Sequence, residues 1–412
     1  MQVRPPYRKC PFCRRQAFGV AAVLGDHYER RCALCGKPHW TQPPARYNLP
    51  PLDKKIIYLD QFAISNMMKA LHPAFAFKQI DAFWRELFER LDQLCKLGAI
   101  VCPWSMFLAY ESSMTEDHDA LLRMGDQLSA SVSFVGPDYI KAIQLRAFAR
   151  AWATQTGVDP REVESSRVIK PSVNAWREAE FTVPYVDRTK AWIEQYNRLK
   201  AEIQADHSGV FERWKAESKK GFEDWFVEEC KGFATGIQLV VERHLSRKAA
   251  GNEPPIPDLL TAVWAAQQVL QETGAPGRDS VLDFLCSPLL EQVPFVRITS
   301  SLFAAIADRG AHQGKLRYPT SDMRNDINVV AHLLPYCDAM FLDRECVGLV
   351  RERKVQEKVG CGTVLFCHRE RSELIAYLDS IRQSVPPAQA RAAIAVYGRE
   401  WLRPSDDMYA VD

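Results

Sequence analysis

The chain has 412 residues, of which 47% are hydrophobic and 25% are charged. Such values are typical of globular proteins and exclude collagen-like, disordered and small disulfide-framework classes. The length is sufficient for about two to three domains. No window approaches the roughly 18 uninterrupted apolar residues of a membrane helix, and the basic, proline-broken start lacks the apolar segment of a secretion signal. We therefore expect a soluble, cytoplasmic protein with no membrane partner.

Charge is distributed unevenly along the chain, although the formal net charge is only +2. Residues 1–52 contain nine Lys or Arg and two Asp or Glu, a local charge of +7 that leaves −5 for the remainder. The sequence therefore predicts a small basic head joined to a mildly acidic body.

Four of the twelve cysteines lie in this head, as the pairs Cys10-Pro-Phe-Cys13 and Cys32-Ala-Leu-Cys35. Two C-x2-C pairs with eighteen residues between them have the spacing of a four-thiolate zinc site. The head resembles zinc ribbons and rubredoxin-like knuckles. That resemblance implies a structural Zn²⁺ rather than a catalytic one, because four thiolates leave no open coordination position. Four free or redox-active thiols are the alternative.

Four arginines next to the knuckles form a candidate phosphate-contacting surface: Arg14, Arg15, Arg30 and Arg31. A solvated basic face turned toward the acidic body is the alternative. We assign residues 1–42 to the zinc ribbon and the proline-rich residues 43–52 to a semi-rigid linker. The eight remaining cysteines show no paired spacing and are expected to be buried small hydrophobic residues.

The body, residues 53–412, begins and ends with alternating strand and helix patterns that are typical of a parallel sheet with right-handed crossovers. Strands are predicted over 56–60, 99–102, 339–342 and 363–366, and helices over 80–94, through Met106 and Tyr110, over 327–334 and over 374–381. Residues from about 112 to 310 predict helices almost throughout. We therefore expect an α/β fold in which a large all-helical insertion interrupts the parallel sheet.

Four acids lie at predicted strand ends or on the helices that follow them, which is where parallel sheets bind their ligands. Asp60 and Asp343 end predicted strands, whereas Glu111 and Asp326 lie on predicted helices, with Asp322 one turn before Asp326. Carboxylates that share a small volume need a counter-charge, and oxygen ligands select Mg²⁺ or Mn²⁺. The acids therefore predict a metal site. Each acid taken alone also suits a helix cap or a turn, and Glu116 and Asp117 are alternatives to Glu111.

The segments that carry these acids resemble those of PIN-domain nucleases. They read IIYLDQFAIS around Asp60, WSMFLAYES around Glu111, and NDINVVAHLLPYCDAMFLDRE for the late pair. The resemblance covers about residues 53–111 and 318–385. It implies a PIN-like parallel sheet and a nuclease that cleaves phosphodiesters with metal-activated water and no covalent intermediate.

The resemblance also implies a role for each acid. Asp60 and Asp343 would be direct ligands of Mg²⁺ or Mn²⁺, and Glu111 and Asp326 would complete the metal site or orient the attacking water, with Asp322 as a secondary ligand. RNA is favoured over DNA because ribonucleases dominate the family. A toxin or anti-phage defence setting is a further expectation.

A second hypothesis comes from another class of protein. The chain would be a non-catalytic nucleic-acid-binding or scaffold protein, with a degenerate PIN-like sheet and a structural zinc ribbon. In either case the helical insertion is a candidate surface for substrate, for a protein partner or for self-association. Nucleic-acid cleavage that requires Mg²⁺ or Mn²⁺ would distinguish the nuclease from the non-catalytic protein.

Overall fold

The computed structural model describes residues 3–35, 44–177, 220–249, 258–277, 280–313, 321–405 and 408–409. Over these residues the protein is mixed α/β, with more helix than strand. None of the helices within the described ranges combines the length and the apolar character that a membrane crossing requires.

The N-terminal unit is a four-stranded antiparallel sheet with its cysteines on the loops at one end. Its strands follow one another in space as in sequence: β1 (Arg4–Lys9), β2 (Gln16–Leu24), β3 (His27–Cys32) and β4 (Ala45–Asn48). A two-residue turn joins β2 to β3, with Gly25 at a φ of +57° that favours glycine. Because β4 pairs with β3, the prediction of a linker over 43–52 is wrong for these four residues, which extend the N-terminal sheet.

The described part of the body contains six further strands. They are β5 (Lys55–Leu59), β6 (Ile100–Val101), β7 (Ser133–Phe134), β8 (Ile169–Lys170), β9 (Ala339–Phe341) and β10 (Val364–Phe366). Four of them form one parallel sheet in the spatial order β10-β9-β5-β6. The predicted parallel sheet is therefore confirmed. Strands β7 and β8 form a separate antiparallel pair, which is an exception to the all-helical prediction for the insertion.

Helices account for most of the rest of the described body. They are α1 (Gln61–Leu71), α2 (Phe83–Lys96), α3 (Met106–Ser113), α4 (His118–Ser129), α5 (Pro137–Thr154), α6 (Ser165–Val168), α7 (Phe222–Ala249), α8 (Asp258–Thr273), α9 (Val281–Leu285), α10 (Pro294–Gln313), α11 (Ser321–Leu333), α12 (Arg344–Val350), α13 (Arg353–Val359), α14 (Arg371–Ser384) and α15 (Pro387–Tyr397). The helix predicted over 80–94 spans Phe83–Lys96, and Gly98, just after it, has a φ of +70°.

Two hydrophobic cores cover the two faces of the parallel sheet. Alternate residues of β5 point to opposite faces, so Ile57 and Leu59 join a core with α1, α2 and α14, whereas Ile56 and Tyr58 join the other core. This second core also contains α5, α7, α8 and α10 from the insertion. The helical insertion is therefore packed directly on the sheet.

The pairing of β5 with β9 fixes the edge at which the predicted acids lie. Leu59 is opposite Phe341 in the parallel register, so Asp60 and Asp343 leave the sheet side by side at its carboxyl edge. The Asp60 amide donates to the Phe341 carbonyl at 3.1 Å, which extends the pairing by one residue.

Candidate metal centres

The four head cysteines form one compact group at the end of the N-terminal sheet. Cys10 follows β1 and Cys32 ends β3, so the β1–β2–β3 pairing brings the two knuckles together. The Sγ atoms of Cys10 and Cys35 are 3.4 Å apart, those of Cys13 and Cys32 are 3.7 Å apart, and all four lie within 4.8 Å of one another. A tetrahedral zinc ion with Zn–S bonds of about 2.3 Å places its sulfurs roughly 3.8 Å apart, so the group can hold a metal such as zinc.

Backbone amides around the knuckles favour thiolates over thiols. The amides of Leu34 and Cys35 donate to Cys32 Sγ at 3.4 and 3.3 Å. Burial acts to raise the pKa of Cys10, yet hydrogen bonds from the Cys13 and Phe12 amides outweigh it and lower that pKa to about 7. Metals bind the thiolate form, and this environment favours that form at Cys10, whereas hydrogen bonds with Cys10, Cys32 and Cys13 raise the pKa of Cys35 to about 12.

The four head arginines differ in exposure. Arg14 and Arg15 are exposed, whereas Arg30 is fully buried and donates to the carbonyls of Pro6, Phe18 and Ala395 at 2.6–2.9 Å. The prediction that Arg30 contacts phosphate is therefore wrong, since the side chain ties the N-terminal sheet to α15. Arg31 is partly exposed.

The acidic site begins with Asp60 and Asp343, which both lie at helix N-termini. Asp60 caps α1 and accepts from the Gln61 amide at 2.7 Å. Asp343 caps α12 and accepts from the amides of Glu345 and Cys346 at 2.6 and 3.0 Å. Both carboxylates thus have the structural role that sequence left open as the alternative.

These two carboxylates also interact with each other. Burial raises the pKa of Asp60 to about 6, against the lowering effect of the Gln61 amide, and the negative charge of Asp343 raises it further. Like-charge repulsion of this kind requires the two groups to be close, and a cation bound between them would relieve it.

Two buried side chains show that the remaining acids face the same region. Burial, followed by the charges of Asp343, Asp326 and Asp60, raises the pKa of the Cys346 thiol well above its usual value. Burial and the Asp60 carboxylate, with a smaller effect from Glu111, raise the pKa of Tyr58 in the same way. Asp60 therefore affects both side chains, whereas Asp343 and Asp326 affect Cys346 and Glu111 affects Tyr58.

Glu111 reaches this region through a direct contact with α11. Its Oε1 accepts a hydrogen bond from Nδ2 of Asn325, a residue 214 positions later and next to Asp326. On the same helix α3, the Ser112 hydroxyl donates to Oε1 of Gln61 at 3.2 Å, which places α3 beside the start of α1. The insertion between Glu111 and Asp326 thus returns the chain to the carboxyl edge of the sheet.

The other acids considered are placed differently. Asp322 belongs to α11, but its side chain is outside the described part of the structure. Glu116 is exposed on the turn before α4, and Asp117 occupies the position before that helix without capping it. Asp338 lies at the opposite edge of the sheet, where it pairs with Lys55 at 2.8 Å.

The donor chemistry of the acidic site suits a hard divalent cation, but the carboxylates are more widely spaced than the cysteines. Within the described ranges, only the cysteine group has three or more ligand atoms all within 4.8 Å of one another. A partly hydrated Mg²⁺, which keeps several waters and uses one or two carboxylates directly, fits such an open arrangement better than an all-protein cage does. Asp60 and Asp343 are the pair best placed to hold it.

Sequence reasoning missed the residues that connect the acids. Asn325 precedes Asp326, Tyr58 lies two residues before Asp60, and Cys346 lies three residues after Asp343. Proximity in sequence to a predicted acid was the available signal, but the contact between Glu111 and Asn325 depends on tertiary folding.

Comparisons with protein-family models, curated proteins and solved structures gave no significant match to this chain.

Proposed function

We propose that the chain is a divalent-metal-dependent nuclease that resembles PIN-domain nucleases. The observation that carries this proposal is that acids from distant segments lie at one sheet edge. Asp60 and Asp343 follow the paired strands β5 and β9, and Glu111 accepts a hydrogen bond from the residue before Asp326. Ligands of open parallel sheets bind outside the carboxyl ends of the strands, and a repelling carboxylate pair there favours a cation. Phosphodiester hydrolysis is the chemistry that such a cation supports.

Each side chain has a role in this proposal. A bound Mg²⁺ or Mn²⁺ would neutralise charge on the phosphate and lower the pKa of a water. Asp60 and Asp343 would hold the ion, with their carboxylates fixed by the helix-capping hydrogen bonds. Glu111, which Asn325 holds in place, and Asp326 would orient the attacking water. Tyr58 and Cys346, whose pKa values are raised, would stay neutral beside these acids.

RNA is the proposed substrate class, by analogy with the family that the sequence resembles. The zinc head offers one contact surface, because Phe12 and Leu34 are 70% and 59% exposed at the knuckle tips and Arg14 and Arg15 are exposed beside them. Aromatic rings and arginines together bind single strands by stacking and charge.

The test is cleavage of fluorophore-labelled RNA and DNA oligonucleotides with Mg²⁺, with Mn²⁺ and without added divalent metal. We expect cleavage only with metal, and a loss of at least about 100-fold in Asp60→Asn and in Asp343→Asn. Asparagine is the appropriate substitution because it keeps a side-chain oxygen for the N-cap while removing the charge. Circular dichroism and bound-zinc measurements check that both variants are folded.

Glu116→Gln is the matched control, because Glu116 is an exposed acid on the turn after α3. It should cleave at the wild-type rate. Metal-independent cleavage, or full activity in folded Asp60→Asn and Asp343→Asn, would contradict the proposal.

The second candidate function is non-catalytic nucleic-acid binding. Its specific support is that Asp60 and Asp343 already cap helices, so both acids have a structural reason to be present. A binder of this kind would retain oligonucleotides at wild-type affinity in Asp60→Asn and leave them uncut with every metal, whereas binding would weaken in Phe12→Ser.

A further inference from the structure

A second concavity lies at the edge of the parallel sheet opposite the acidic site. Its volume is about 670 Å³, within the range of small-molecule sites. Lys55 at the start of β5, Asp338 before β9 and Val364 at the start of β10 line it. Since β5 rises about 3.3 Å per residue over five residues, this cavity is separated from Asp60 by roughly the length of a strand.

Arg297 on α10 is the main charged group of the cavity. Its Nε is buried, and within the described part of the chain that atom has no hydrogen-bond partner. Burial lowers the pKa of Arg297, with Cys361 acting weakly in the other direction. Arg297 as a whole is partly exposed, but a buried N–H without an acceptor costs free energy, and an anion in the cavity would offset that cost.

A glycine-rich loop, residues 360–363 with the sequence Gly-Cys-Gly-Thr, forms another wall. Gly360 ends α13 at a φ of +57°, and the Thr363 hydroxyl anchors the loop to the carbonyls of Leu334 and Cys337 at 2.8 and 2.9 Å. The amides of Cys361, Gly362 and Thr363 make no hydrogen bond to the described residues. A Cβ at Gly362 would meet no atom within 4 Å, so the space above the loop is open.

The acid that lines the cavity is already neutralised. Asp338 accepts from Lys55 Nζ and from the Ile56 amide, both at 2.8 Å. With Lys55 and Arg297 positive and Asp338 negative, the lining carries a net charge of +1. The remaining walls include the apolar side chains of Pro294 and Ile298.

We propose that this cavity binds a small organic phosphate, a phosphate monoester with a compact organic group. The Arg297 guanidinium and the amides of Cys361, Gly362 and Thr363 would bind the phosphate oxygens, with Lys55 nearby, and the apolar walls would contact the organic group. Backbone N–H donors together with a cationic fork suit the three terminal oxygens of a phosphate. The site is independent of the proposed nuclease chemistry.

The test is isothermal titration calorimetry on the full chain, without added divalent metal, with inorganic phosphate, phenyl phosphate and 5′-AMP, and with acetate as the carboxylate. We expect saturable binding of the phosphate esters. Binding should be at least about tenfold weaker in Arg297→Gln, because a charge-assisted hydrogen bond to the phosphate is lost. Gly362→Glu, which introduces a negative charge into open space, should weaken binding similarly without disturbing the core. Arg353→Gln is the matched control, since Arg353 is exposed on α13 and pairs with Glu357.

Absence of saturable binding by every phosphate, unchanged affinity in both Arg297→Gln and Gly362→Glu, or preference for acetate would overturn the proposal. Asp60→Asn separates this site from the acidic one. This variant should bind 5′-AMP as the wild type does. If Asp60→Asn lost 5′-AMP binding, the ligand would lie at the acidic edge of the sheet, and the proposal would be overturned as well.

Discussion

Arg30 shows how a single buried charge can join two distant parts of the chain. Its guanidinium donates to carbonyls of Pro6 and Phe18 in the N-terminal sheet and to Ala395 in α15, 365 positions later. Its sequence neighbourhood of basic residues suggested a surface role, because nothing local to residue 30 indicates which arginine of the run points inward. The packing of α15 on the N-terminal sheet determines that Arg30 is the buried arginine.

Arg30→Gln should therefore lower the free energy of unfolding by about 3 kcal/mol, because bonds from a charged donor to buried carbonyls are lost. Urea denaturation measures the change. Arg15→Gln removes an exposed arginine from the same unit and should shift stability by less than about 0.5 kcal/mol. Equal effects of the two substitutions would argue against the bridging role.

Asp126 on α4 should make stability depend on pH. Burial raises its pKa to about 6, and Arg177 opposes this only in part. Between about pH 4 and 6 Asp126 keeps a proton in the folded chain that it has released in the unfolded chain. The free energy of unfolding therefore falls as pH rises through this window. Above the window, Asp126 causes no further change.

Asp126 should change the free energy of unfolding by roughly 1–3 kcal/mol across this window. Urea denaturation from pH 4 to 7.5 measures the change. Asp126→Asn should reduce the slope of this part of the profile and leave the contribution of Asp60, whose pKa is also raised to about 6. Asp119→Asn, at an exposed position on the same helix, should retain the full slope. An unchanged slope in Asp126→Asn would show that other groups cause the dependence.

At the scale of elements, the strands with continuous buried hydrophobic residues were predictable and the others were not. Strands β5, β6, β9 and β10 are short apolar runs between turn signals, which is the pattern of a parallel strand covered on both faces. Strand β4 lies in a proline-rich stretch, and β7 and β8 have two residues each. Their pairing comes from neighbouring elements, so no local pattern predicts it.

Gly125 controls the packing of α4 on the chain segment after β6. A Cβ at this position would lie 1.9 Å from the Trp104 ring. Gly125→Ala should therefore destabilise the protein by roughly 1–3 kcal/mol through overpacking. Gly232→Ala on α7 is the control, because nothing lies within 4 Å of its Cβ, and it should stabilise by up to about 1 kcal/mol. Thermal denaturation should move the two variants in opposite directions.

At the scale of the whole molecule, the insertion and the sheet share one core, which links their stabilities. Trp225 of α7 is fully buried in the same cluster as Tyr58 of β5. The sequence predicted the helices but not their contact with the sheet, since the surface that each helix covers depends on the complete fold. For the same reason the acids could be identified by residue type, while the Glu111–Asn325 contact could not.

Trp225→Ala should lower the free energy of unfolding by roughly 3–5 kcal/mol and accelerate hydrogen exchange in β5 as much as in α7. Trp264→Ala, at a position 40% exposed in the same insertion, should have a much smaller effect. If β5 kept its protection while α7 lost it, the insertion would be an independently folding unit.

The span between Glu111 and Asp343 has a consequence for biosynthesis. A ribosome must complete most of the 412 residues before the last of the four carboxylates has been translated. Prematurely terminated chains, and fragments cut within the insertion, would each carry only part of the ligand set. In the proposed nuclease, the four carboxylates would be available together to hold a cation only after translation has passed β9.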